Sequence, residues 1–257
     1  MSRTYVVTGA AAGIGRATAE LMKSRGGKVI GVDLAGSDVT ADLSTEAGCS
    51  AMVEAVSDLS GGTIDAVVAI AGVMGNTPLV ARVNYFGAIR TLTGLRPLLA
   101  RSAAPRAAAV SSMASLHEVD QPLLDALAAE DEEGAIVRAK QIASPGPLDI
   151  LTYATSKRAL ALWIRRNSPT ADWAGAGIPL NAIAPGVIRT AMTASFFTDV
   201  GRHILDDVPM PLNGPADPIV AARLLAWITS EENSHVTGQV IFQDGGSDAI
   251  IRGDSVW

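Results

Sequence analysis

The sequence contains little of the chemistry that disulfide frameworks and metal centres require. Its 257 residues include one cysteine, Cys49, and three histidines, His117, His203 and His235. A single cysteine forms no internal disulfide, and the histidines are scattered without the spacing of a ligand set. We therefore predict no disulfide and no metal site.

Positive charge is also scarce. The chain carries 20 Lys and Arg residues against 26 Asp and Glu residues, which gives a formal net charge of −6. Proteins that bind nucleic acid neutralise its phosphate backbone with a basic surface, and this composition supplies none. The sequence therefore argues against a nucleic-acid partner.

Long hydrophobic runs are missing as well. The apolar stretches are short and interrupted by Gly, Pro or charged residues, whereas a membrane-spanning helix needs about 18 or more apolar residues in a row. No charged segment followed by an apolar one opens the chain, as it would in a secretory signal peptide. We expect no membrane partner and a cytoplasmic location.

Hydrophobic residues nevertheless make up 48% of the chain, which is enough for one large core. Short β-rich runs alternate with helical patterns, and this alternation is typical of a parallel sheet covered by helices on both faces. We predict a single-domain α/β Rossmann fold over residues 1–257 with a doubly wound parallel sheet. The predicted strands are 4–8, 28–32, 65–70, 107–110, 178–183 and 239–242, and the predicted helices begin at 13 and 45 and span 79–100, 151–166 and 217–229.

A glycine-rich turn joins the first predicted strand to the first helix. The segment TGAAAGIG places Gly9, Gly13 and Gly15 in this turn. Glycine permits a tight turn and close backbone approach, and free N–H groups at a helix start bind a pyrophosphate. The alternative is a turn shaped only for packing a helix on a strand. An acidic residue roughly 20 positions later favours dinucleotide binding.

That acidic residue is Asp33, which follows the second predicted strand. A carboxylate there accepts hydrogen bonds from the hydroxyls of the adenosine ribose and repels a 2′-phosphate. The sequence therefore favours NAD over NADP. Two alternatives stay open: Asp33 as an ordinary turn residue, and Arg16 as a phosphate ligand that would favour NADP.

A serine-rich segment and a Tyr/Lys pair occupy the middle of the chain. VSSMAS spans residues 110–115, and Tyr153 and Lys157 lie four positions apart on a predicted helix, so their side chains share one face. A nearby ammonium and a positive nicotinamide ring would favour the tyrosine phenolate and lower its pKa. The tyrosine would then act as an acid/base, and a serine hydroxyl would stabilise the reacting oxygen. Taken alone, such a pair is usually an ordinary helix face.

Together these motifs resemble the short-chain dehydrogenase/reductase family over nearly the whole chain. The matching segments, in order, are TGAAAGIG, Asp33, ADL (41–43), AIAG (69–72), VNYFG (83–87), VSSMAS, YATSK (153–157), PGVIRT (185–190) and DGG (244–246). The resemblance implies that Tyr153 is the acid/base and that Ser112 orients the substrate oxygen. It further implies that Lys157 holds the nicotinamide ribose and that Asn84 holds a water for proton relay.

The resemblance also implies the dinucleotide contacts. Ile188 and Thr190 would hold the nicotinamide carboxamide, and Asp42 has the alternative role of capping the next helix. AIAG replaces the NNAG common in the family, which leaves the loop over adenine dependent on other contacts. The complete predicted set is Gly9, Gly13, Ile14, Gly15, Asp33, Leu34, Asp42, Leu43, Ala71, Gly72, Tyr153, Lys157, Pro185, Gly186, Ile188 and Thr190.

Apolar side chains after PGVIRT are candidates for substrate contacts. Met192, Phe196 and Phe197 cluster there, in a region (residues 190–214) that the resemblance identifies as a mobile cover over the substrate. Plain core packing is the alternative. Met113 is the fourth predicted substrate contact.

The segment between Ser112 and Tyr153 is longer than the resemblance leads us to expect. Leu123, Leu124 and Leu127 form an apolar stripe ahead of four consecutive acidic residues, 130–133, and this pattern predicts an amphipathic helix. We interpret residues 116–148 as a helical insertion whose carboxylates face solvent.

A similar insertion occurs in the bacterial hydroxysteroid dehydrogenase/carbonyl reductase subgroup of this family. There it covers the long helices that other members use for a tetramer contact. The resemblance therefore implies a homodimer, formed around residues 217–229 and the last strand.

The sequence thus predicts an NAD-dependent oxidoreductase that interconverts a secondary alcohol and a ketone. The expected substrate is apolar and cyclic or bulky, with a 3α-hydroxysteroid or related carbonyl compound as the first candidate. One alternative is a dehydrogenase of a terpenoid, aromatic or xenobiotic alcohol or ketone. Another is a dinucleotide-binding sensor without turnover, which an intact set of four catalytic residues argues against.

Overall fold

A computed structural model describes residues 2–144, 149–198 and 201–256. Its seven strands are β1 Thr4–Thr8, β2 Lys28–Asp33, β3 Val39–Thr40, β4 Ala66–Ala69, β5 Arg106–Val110, β6 Leu180–Pro185 and β7 Val240–Gln243. They form one parallel sheet in the order β3-β2-β1-β4-β5-β6-β7. The predicted parallel sheet is confirmed.

The α-helices are α1 Gly13–Ser24, α2 Glu46–Ser60, α3 Pro78–Ala81, α4 Ala88–Leu99, α5 Gln121–Ala128, α6 Glu132–Ile142, α7 Leu151–Asn167, α8 Arg202–Asp207, α9 Pro218–Ile228 and α10 Ser247–Arg252. A π-helical turn, Arg82–Gly87, joins α3 to α4. Short 3₁₀ helices span Met113–Leu116, Ala174–Ala176 and Ala191–Phe197.

Helices cover both faces of the sheet. Successive residues of a strand point to opposite faces, and Val6 and Val7 accordingly lie in different apolar clusters. Val6 shares its cluster with buried residues of α2, α4 and α7, and Val7 shares its cluster with residues of α1 and α9. Because neither face meets solvent, β4 and β5 are buried at every position. The doubly wound Rossmann arrangement is therefore confirmed.

Some element bounds differ from those predicted. The sixth strand begins at Leu180, later than the predicted Ile178, because the N–H of Ile178 donates to Trp173 O at 2.9 Å and Pro179 has no N–H. The helix predicted over 79–100 begins at Pro78 and contains the π-helical turn. Helix α10 and the two-residue strand β3 were not predicted.

Two helices, α5 and α6, lie between Ser112 and Tyr153. Their starts are capped by Asp120, which accepts from Leu123 N at 2.9 Å, and Asp131, which accepts from Gly134 N at 2.9 Å. The leucine stripe of α5 is buried in the same cluster as α4 and α7. Residues 145–148 of the predicted insertion lie outside the described residues.

Of the four acidic residues in this segment, Glu130, Asp131 and Glu133 are exposed, as expected of a solvent face, and Glu132 is half-buried. Two of the four also have partners on neighbouring helices. Glu130 accepts a hydrogen bond from the indole N–H of Trp163 in α7 at 3.1 Å. Glu132 forms an ion pair with Arg90 of α4 at 2.6 Å. These carboxylates therefore join the tip of the segment to the two long helices beneath it.

Within the described ranges, no helix has the length and apolar character needed to cross a bilayer.

Candidate active site

A cleft of about 360 Å³ lies at the carboxyl ends of the central strands. The chain passes from β1 to β2 on one side and later adds β4 on the other side of β1. Ligands of open α/β sheets bind in the crevice at such a reversal of strand order. The fold therefore places a ligand site at the turn that follows β1.

Three glycines shape that turn. A Cβ atom on Gly15 would lie 1.9 Å from Gly9 O, far inside contact distance. Gly9 has a φ of +68°, and its Cβ would lie 3.1 Å from the Ala71 backbone. The loop thus packs backbone against backbone and has no room for a side chain at Gly15. We call this turn, Gly9 to Gly15, the glycine cradle.

Helix α1 begins directly above this cradle. Its N-cap residue, Ala12, supplies no side-chain hydrogen bond, and its first turn contains no acidic residue. The first N–H groups of a helix carry partial positive charge and need acceptors. This donor set fits the pyrophosphate of a dinucleotide.

Asp33 ends β2 at the edge of the cleft. Its carboxylate accepts hydrogen bonds from Ala11 N at 2.9 Å and from Leu34 N at 2.7 Å. Asp33 and Leu34 both line the cleft, whereas Arg16 lines a neighbouring groove with Arg189 and Phe197. Arg16 is therefore not among the residues that line the cleft with Asp33.

The ADL turn forms the next part of the cleft wall. Hydrogen bonds with Ser44 hold the pKa of Asp42 below its usual value. Thr45 caps α2 by accepting from Gly48 N at 3.0 Å, so the alternative that Asp42 caps this helix was wrong. A Cβ on Gly87 would lie 2.5 Å from Leu43 O, which explains the glycine of VNYFG.

Thr8 supplies the contacts that the AIAG segment needs. Its buried hydroxyl accepts hydrogen bonds from Ile70 N at 2.9 Å and Ala71 N at 3.0 Å. These bonds fasten the end of β4 to the end of β1. The loop is thus held by a β1 side chain, although it lacks the asparagines common in the family.

Tyr153 and Lys157 project from α7 towards the end of β5. The Lys157 ammonium donates to Val110 O at 2.8 Å and lies 5.7 Å from the centre of the Tyr153 ring. Ser112 follows β5, and its side chain lies near enough to Tyr153 to lower the pKa of the phenol. Ser111 donates its hydroxyl to Lys157 O at 2.9 Å. Of the two adjacent serines, Ser112 is therefore the one next to the phenol.

Burial dominates the ionisation of this pair. Burial raises the pKa of Tyr153, and the nearby Ser112 side chain offsets only part of that rise. Burial also lowers the pKa of Lys157 to about 8. The lowering of the Tyr153 pKa that the sequence led us to expect is therefore not produced by these side chains alone.

Asn84 lies behind the cleft, in the π-helical turn. Its amide accepts from Val73 N at 2.8 Å and donates to Val73 O at 2.9 Å, with a longer contact to Ser156 Oγ at 3.4 Å. Because Val73 lines the cleft, Asn84 fixes the backbone of its wall. π-Helical turns are frequent at functional sites.

All sixteen residues predicted to contact a dinucleotide line this cleft. Leu79 and Val83 also line the cleft but were not predicted as contacts, although Val83 lies in VNYFG; their spacing of four on one helical stretch was the available signal. Thr193 also lines the cleft and orients Thr190, whose N–H donates to Thr193 Oγ1 at 3.1 Å. The predicted Ser112 and Met192 line the cleft too, and the remaining lining residues, which were not predicted, are Ala12, Ala41, Ile70, Val73, Val110, Ser111 and Ala191.

The four predicted substrate contacts do not come together. Met192 lines the cleft, whereas Met113, Phe196 and Phe197 do not. Met113 is buried, and Phe197 packs beneath the Arg189 guanidinium at 5.0 Å in the neighbouring groove. Residues 199 and 200 of the predicted cover lie outside the described residues. Within the described ranges, no group of three His, Cys, Asp or Glu side chains has the arrangement of a metal site.

Comparison with known proteins identifies the family. A family model described as enoyl-(acyl carrier protein) reductase matches residues 9–248. The chain is also 36% identical over 258 residues to the 3-alpha-hydroxysteroid dehydrogenase/carbonyl reductase of Comamonas testosteroni, with 96% of this chain and 97% of that protein covered. The chain belongs to the short-chain dehydrogenase/reductase family. The resemblance inferred from the motifs is confirmed.

Other members of the family agree with this assignment. The crystal structure of the 3-alpha-hydroxysteroid dehydrogenase from Pseudomonas sp. B-0831 complexed with NADH has a TM-score of 0.89 at 38% identity, covering 98% of this chain and 99% of that one. The cis-4-hydroxycyclohexanecarboxylate dehydrogenase of Sinomonas cyclohexanicum is 29% identical over 268 residues, covering 96% of this chain and 97% of that protein. As a short-chain dehydrogenase/reductase, the protein is an oxidoreductase of the class that acts on CH–OH groups.

Proposed function

We propose that this protein interconverts a secondary alcohol and a ketone with NAD, using Tyr153 as the acid/base. The observation that carries the proposal is the meeting of Tyr153, Ser112 and Lys157 in the wall of a cleft that also contains the glycine cradle. The cradle supplies donors for a pyrophosphate, and the three side chains supply proton transfer. One cleft thus contains both the cofactor-binding groups that hydride transfer needs and the side chains that proton transfer needs.

In the oxidative direction, the Tyr153 phenolate takes the hydroxyl proton of the alcohol. In the reductive direction, the phenol returns a proton to the carbonyl oxygen. A bound nicotinamide would accept or supply the hydride, and its positive charge would favour the phenolate. The Ser112 hydroxyl, which lies beside Tyr153, donates to the substrate oxygen and stabilises its developing charge.

Lys157 contributes a buried cation. Its pKa of about 8 means that the ammonium form dominates at neutral pH. That form donates to Val110 O and retains donors for the ribose of the nicotinamide. Asn84 lies behind the cleft wall, where its amide holds the backbone of Val73 in place. We propose that Asn84 also holds a water molecule that relays protons between Lys157 and solvent.

The preference for NAD rests on Asp33. Its carboxylate lines the cleft, where it would accept from the hydroxyls of the adenosine ribose, and the exposed Leu34 follows it. Neither side chain can neutralise a 2′-phosphate, and Arg16 faces the neighbouring groove. We therefore propose NAD as the cofactor.

The substrate is proposed to be an apolar alicyclic alcohol or ketone. Apolar side chains of Leu79, Val83 and Met192 line the cleft. Two relatives named above are a 3-alpha-hydroxysteroid dehydrogenase/carbonyl reductase and a cis-4-hydroxycyclohexanecarboxylate dehydrogenase, and both names describe a hydroxyl on a saturated ring. A 3α-hydroxysteroid is the first candidate, and terpenoid, aromatic or xenobiotic alcohols are the second.

A spectrophotometric NADH assay tests this proposal. The panel should contain 3α- and 3β-hydroxysteroids, substituted cyclohexanols, terpene alcohols and aromatic ketones, each with NAD and with NADP. We expect NAD-dependent oxidation of the 3α-hydroxysteroids and weaker activity with 3β epimers. Turnover of terpene alcohols alone would move the substrate assignment to the second candidate, and no turnover of any compound would contradict the proposed reaction.

We further propose that the protein is a cytoplasmic homodimer formed around α9 and β7. The segment α5–α6 covers α4 and α7 through the Arg90–Glu132 ion pair and the Trp163–Glu130 hydrogen bond. In contrast, β7 is an edge strand that is half-buried at every position, and Trp227 of α9 is exposed. The unpaired N–H and C=O groups of an apolar edge strand can pair with a strand of a second copy.

Sedimentation equilibrium should give the mass of two chains. Trp227→Glu should shift this mass to one chain, because it places a charge in the proposed apolar contact. Val137→Glu is the matched control: Val137 is an exposed apolar residue of α6, on the surface that would be buried if that segment mediated assembly. A four-chain mass, or dissociation by Val137→Glu alone, would be incompatible with the proposed dimer.

A further inference from the structure

The helix that carries Tyr153 begins with only one side-chain cap from the preceding residues. Asp149 accepts from Leu151 N at 3.2 Å, and the N-cap residue, Ile150, makes no side-chain hydrogen bond. The other first N–H groups of α7 need partners from elsewhere. Tyr153 is the third residue of this helix, in the turn that frays most readily. The groups that accept hydrogen bonds from these N–H groups therefore also determine where the Tyr153 phenol lies.

Asn76 supplies part of what is missing. Its side-chain oxygen accepts from Thr152 N at 3.2 Å and also from the Thr152 hydroxyl. Its amide nitrogen donates to Ile142 O at 2.7 Å and to Ser144 Oγ at 3.1 Å. Asn76 therefore joins the end of α6 to the residue before Tyr153, and it is almost completely buried.

A second junction lies two residues after Tyr153. The Thr155 hydroxyl accepts from Asp120 N at 3.0 Å and donates to Leu151 O within α7 at 2.7 Å. Asp120 caps α5 and accepts from Arg138 of α6 at 2.9 Å and 2.6 Å. The beginning of the α5–α6 segment is thus joined to the turn of Tyr153 as well.

We infer that the α5–α6 segment is fastened at both ends to the first turns of α7, through Thr152 and Thr155, and thereby positions the Tyr153 phenol. The inference rests on the proposed role of Tyr153 and assigns Asn76, Thr152 and Thr155 as positioning residues. Their two junctions flank Tyr153 on either side in the chain.

This fastening has a catalytic consequence because proton transfer is sensitive to position. Misplacement of a reacting group by about 1 Å can reduce a rate by roughly 100-fold. Dinucleotide contacts at the glycine cradle do not depend on α7, and Lys157, the residue of α7 assigned to the ribose, lies beyond both junctions. Loosening the junctions should therefore lower kcat and leave NADH affinity unchanged.

The test compares Thr152→Val and Thr155→Val with a matched control, Thr229→Val. Thr229 is also fully buried and donates to the carbonyl four residues earlier, Leu225 O, at 2.7 Å, but it lies at the end of α9. We expect a fall in kcat of about 10- to 100-fold for the first two variants, with KM and NADH affinity unchanged. Thr155→Ser restores the hydroxyl and should recover the rate, and Thr229→Val should retain it.

Amide hydrogen exchange of residues 151–155 provides a readout that is independent of turnover. Exchange should accelerate in Thr152→Val and Thr155→Val but not in Thr229→Val. Suppose that the wild type turns over a substrate but that kcat falls no further in Thr152→Val and Thr155→Val than in the control. That result would overturn the inference and leave the proposed function intact. Unchanged hydrogen exchange in both variants would show that the junctions do not hold this turn, and a wild type that turns over no compound would contradict the proposed function.

Discussion

Tyr153→Phe should reduce kcat by about 100- to 10,000-fold, the range that general acid–base groups contribute, while NADH binds almost as before. The substitution removes only the phenol hydroxyl, which lies beside Ser112. The ring remains beside Lys157, and the glycine cradle is untouched. Steady-state kinetics with the best substrate of the panel and NADH fluorescence titration measure the two effects separately.

The matched control for this substitution is Tyr5→Phe. Tyr5 lies in β1, does not line the cleft and stacks against the Arg3 guanidinium. Removal of its hydroxyl should leave kcat unchanged. A Tyr153→Phe enzyme with more than a tenth of wild-type kcat would rule out the phenol as the acid/base.

The pH dependence of the wild type should have a defined sign. Oxidation needs Tyr153 deprotonated, and burial raises its pKa, so the oxidation rate should increase towards alkaline pH. Reduction needs the protonated phenol and should slow over the same range. Because Lys157, with a pKa of about 8, lies close by, the measured pKa belongs to the coupled pair.

Much of the site followed from the sequence because its residues lie in short local motifs. TGAAAGIG requires glycine at Gly15 because a Cβ atom there would lie 1.9 Å from Gly9 O. Strands that are buried on both faces read as short apolar runs, so their carboxyl ends, where Asp33 and Ser112 lie, were also predictable. Local geometry thus located the dinucleotide cleft.

Contacts between distant parts of the chain were not predictable. No local pattern indicates that Glu130 binds Trp163, or that Asn76 joins Ile142 to Thr152. The run of carboxylates was interpreted as a solvent face because charged residues are usually exposed. Only the packing of α5 and α6 on α4 and α7 shows which carboxylates have partners.

The substrate side was the least predictable part. Apolar residues after PGVIRT fit a cleft wall and a protein core equally well, and only Met192 reaches the wall. The direction of the Tyr153 pKa shift depended on burial, which a sequence does not contain. Both points concern solvent exposure and not the identity of the reacting groups.

Asp33→Ala should change the ratio of kcat/KM for NAD to that for NADP by about 10- to 1,000-fold in favour of NADP. Like charges about 4 Å apart repel by roughly 1 kcal/mol in bulk water and about 4 kcal/mol near a protein surface, and each 1.4 kcal/mol corresponds to about tenfold in affinity. Removing the carboxylate removes this repulsion. It also removes an acceptor for ribose hydroxyls, so the NAD rate should fall as the NADP rate rises.

A control is needed because Asp33 also accepts from Ala11 N and Leu34 N, so its removal loosens the turn. Asp38 is the matched residue: it lies in the loop between β2 and β3, accepts from Gly31 N at 2.8 Å and does not line the cleft. Asp38→Ala should lower the thermal midpoint and leave the NAD/NADP ratio unchanged. An equal change of that ratio in both variants would mean that loop order sets cofactor preference, and an unchanged ratio in Asp33→Ala would remove the carboxylate from cofactor selection.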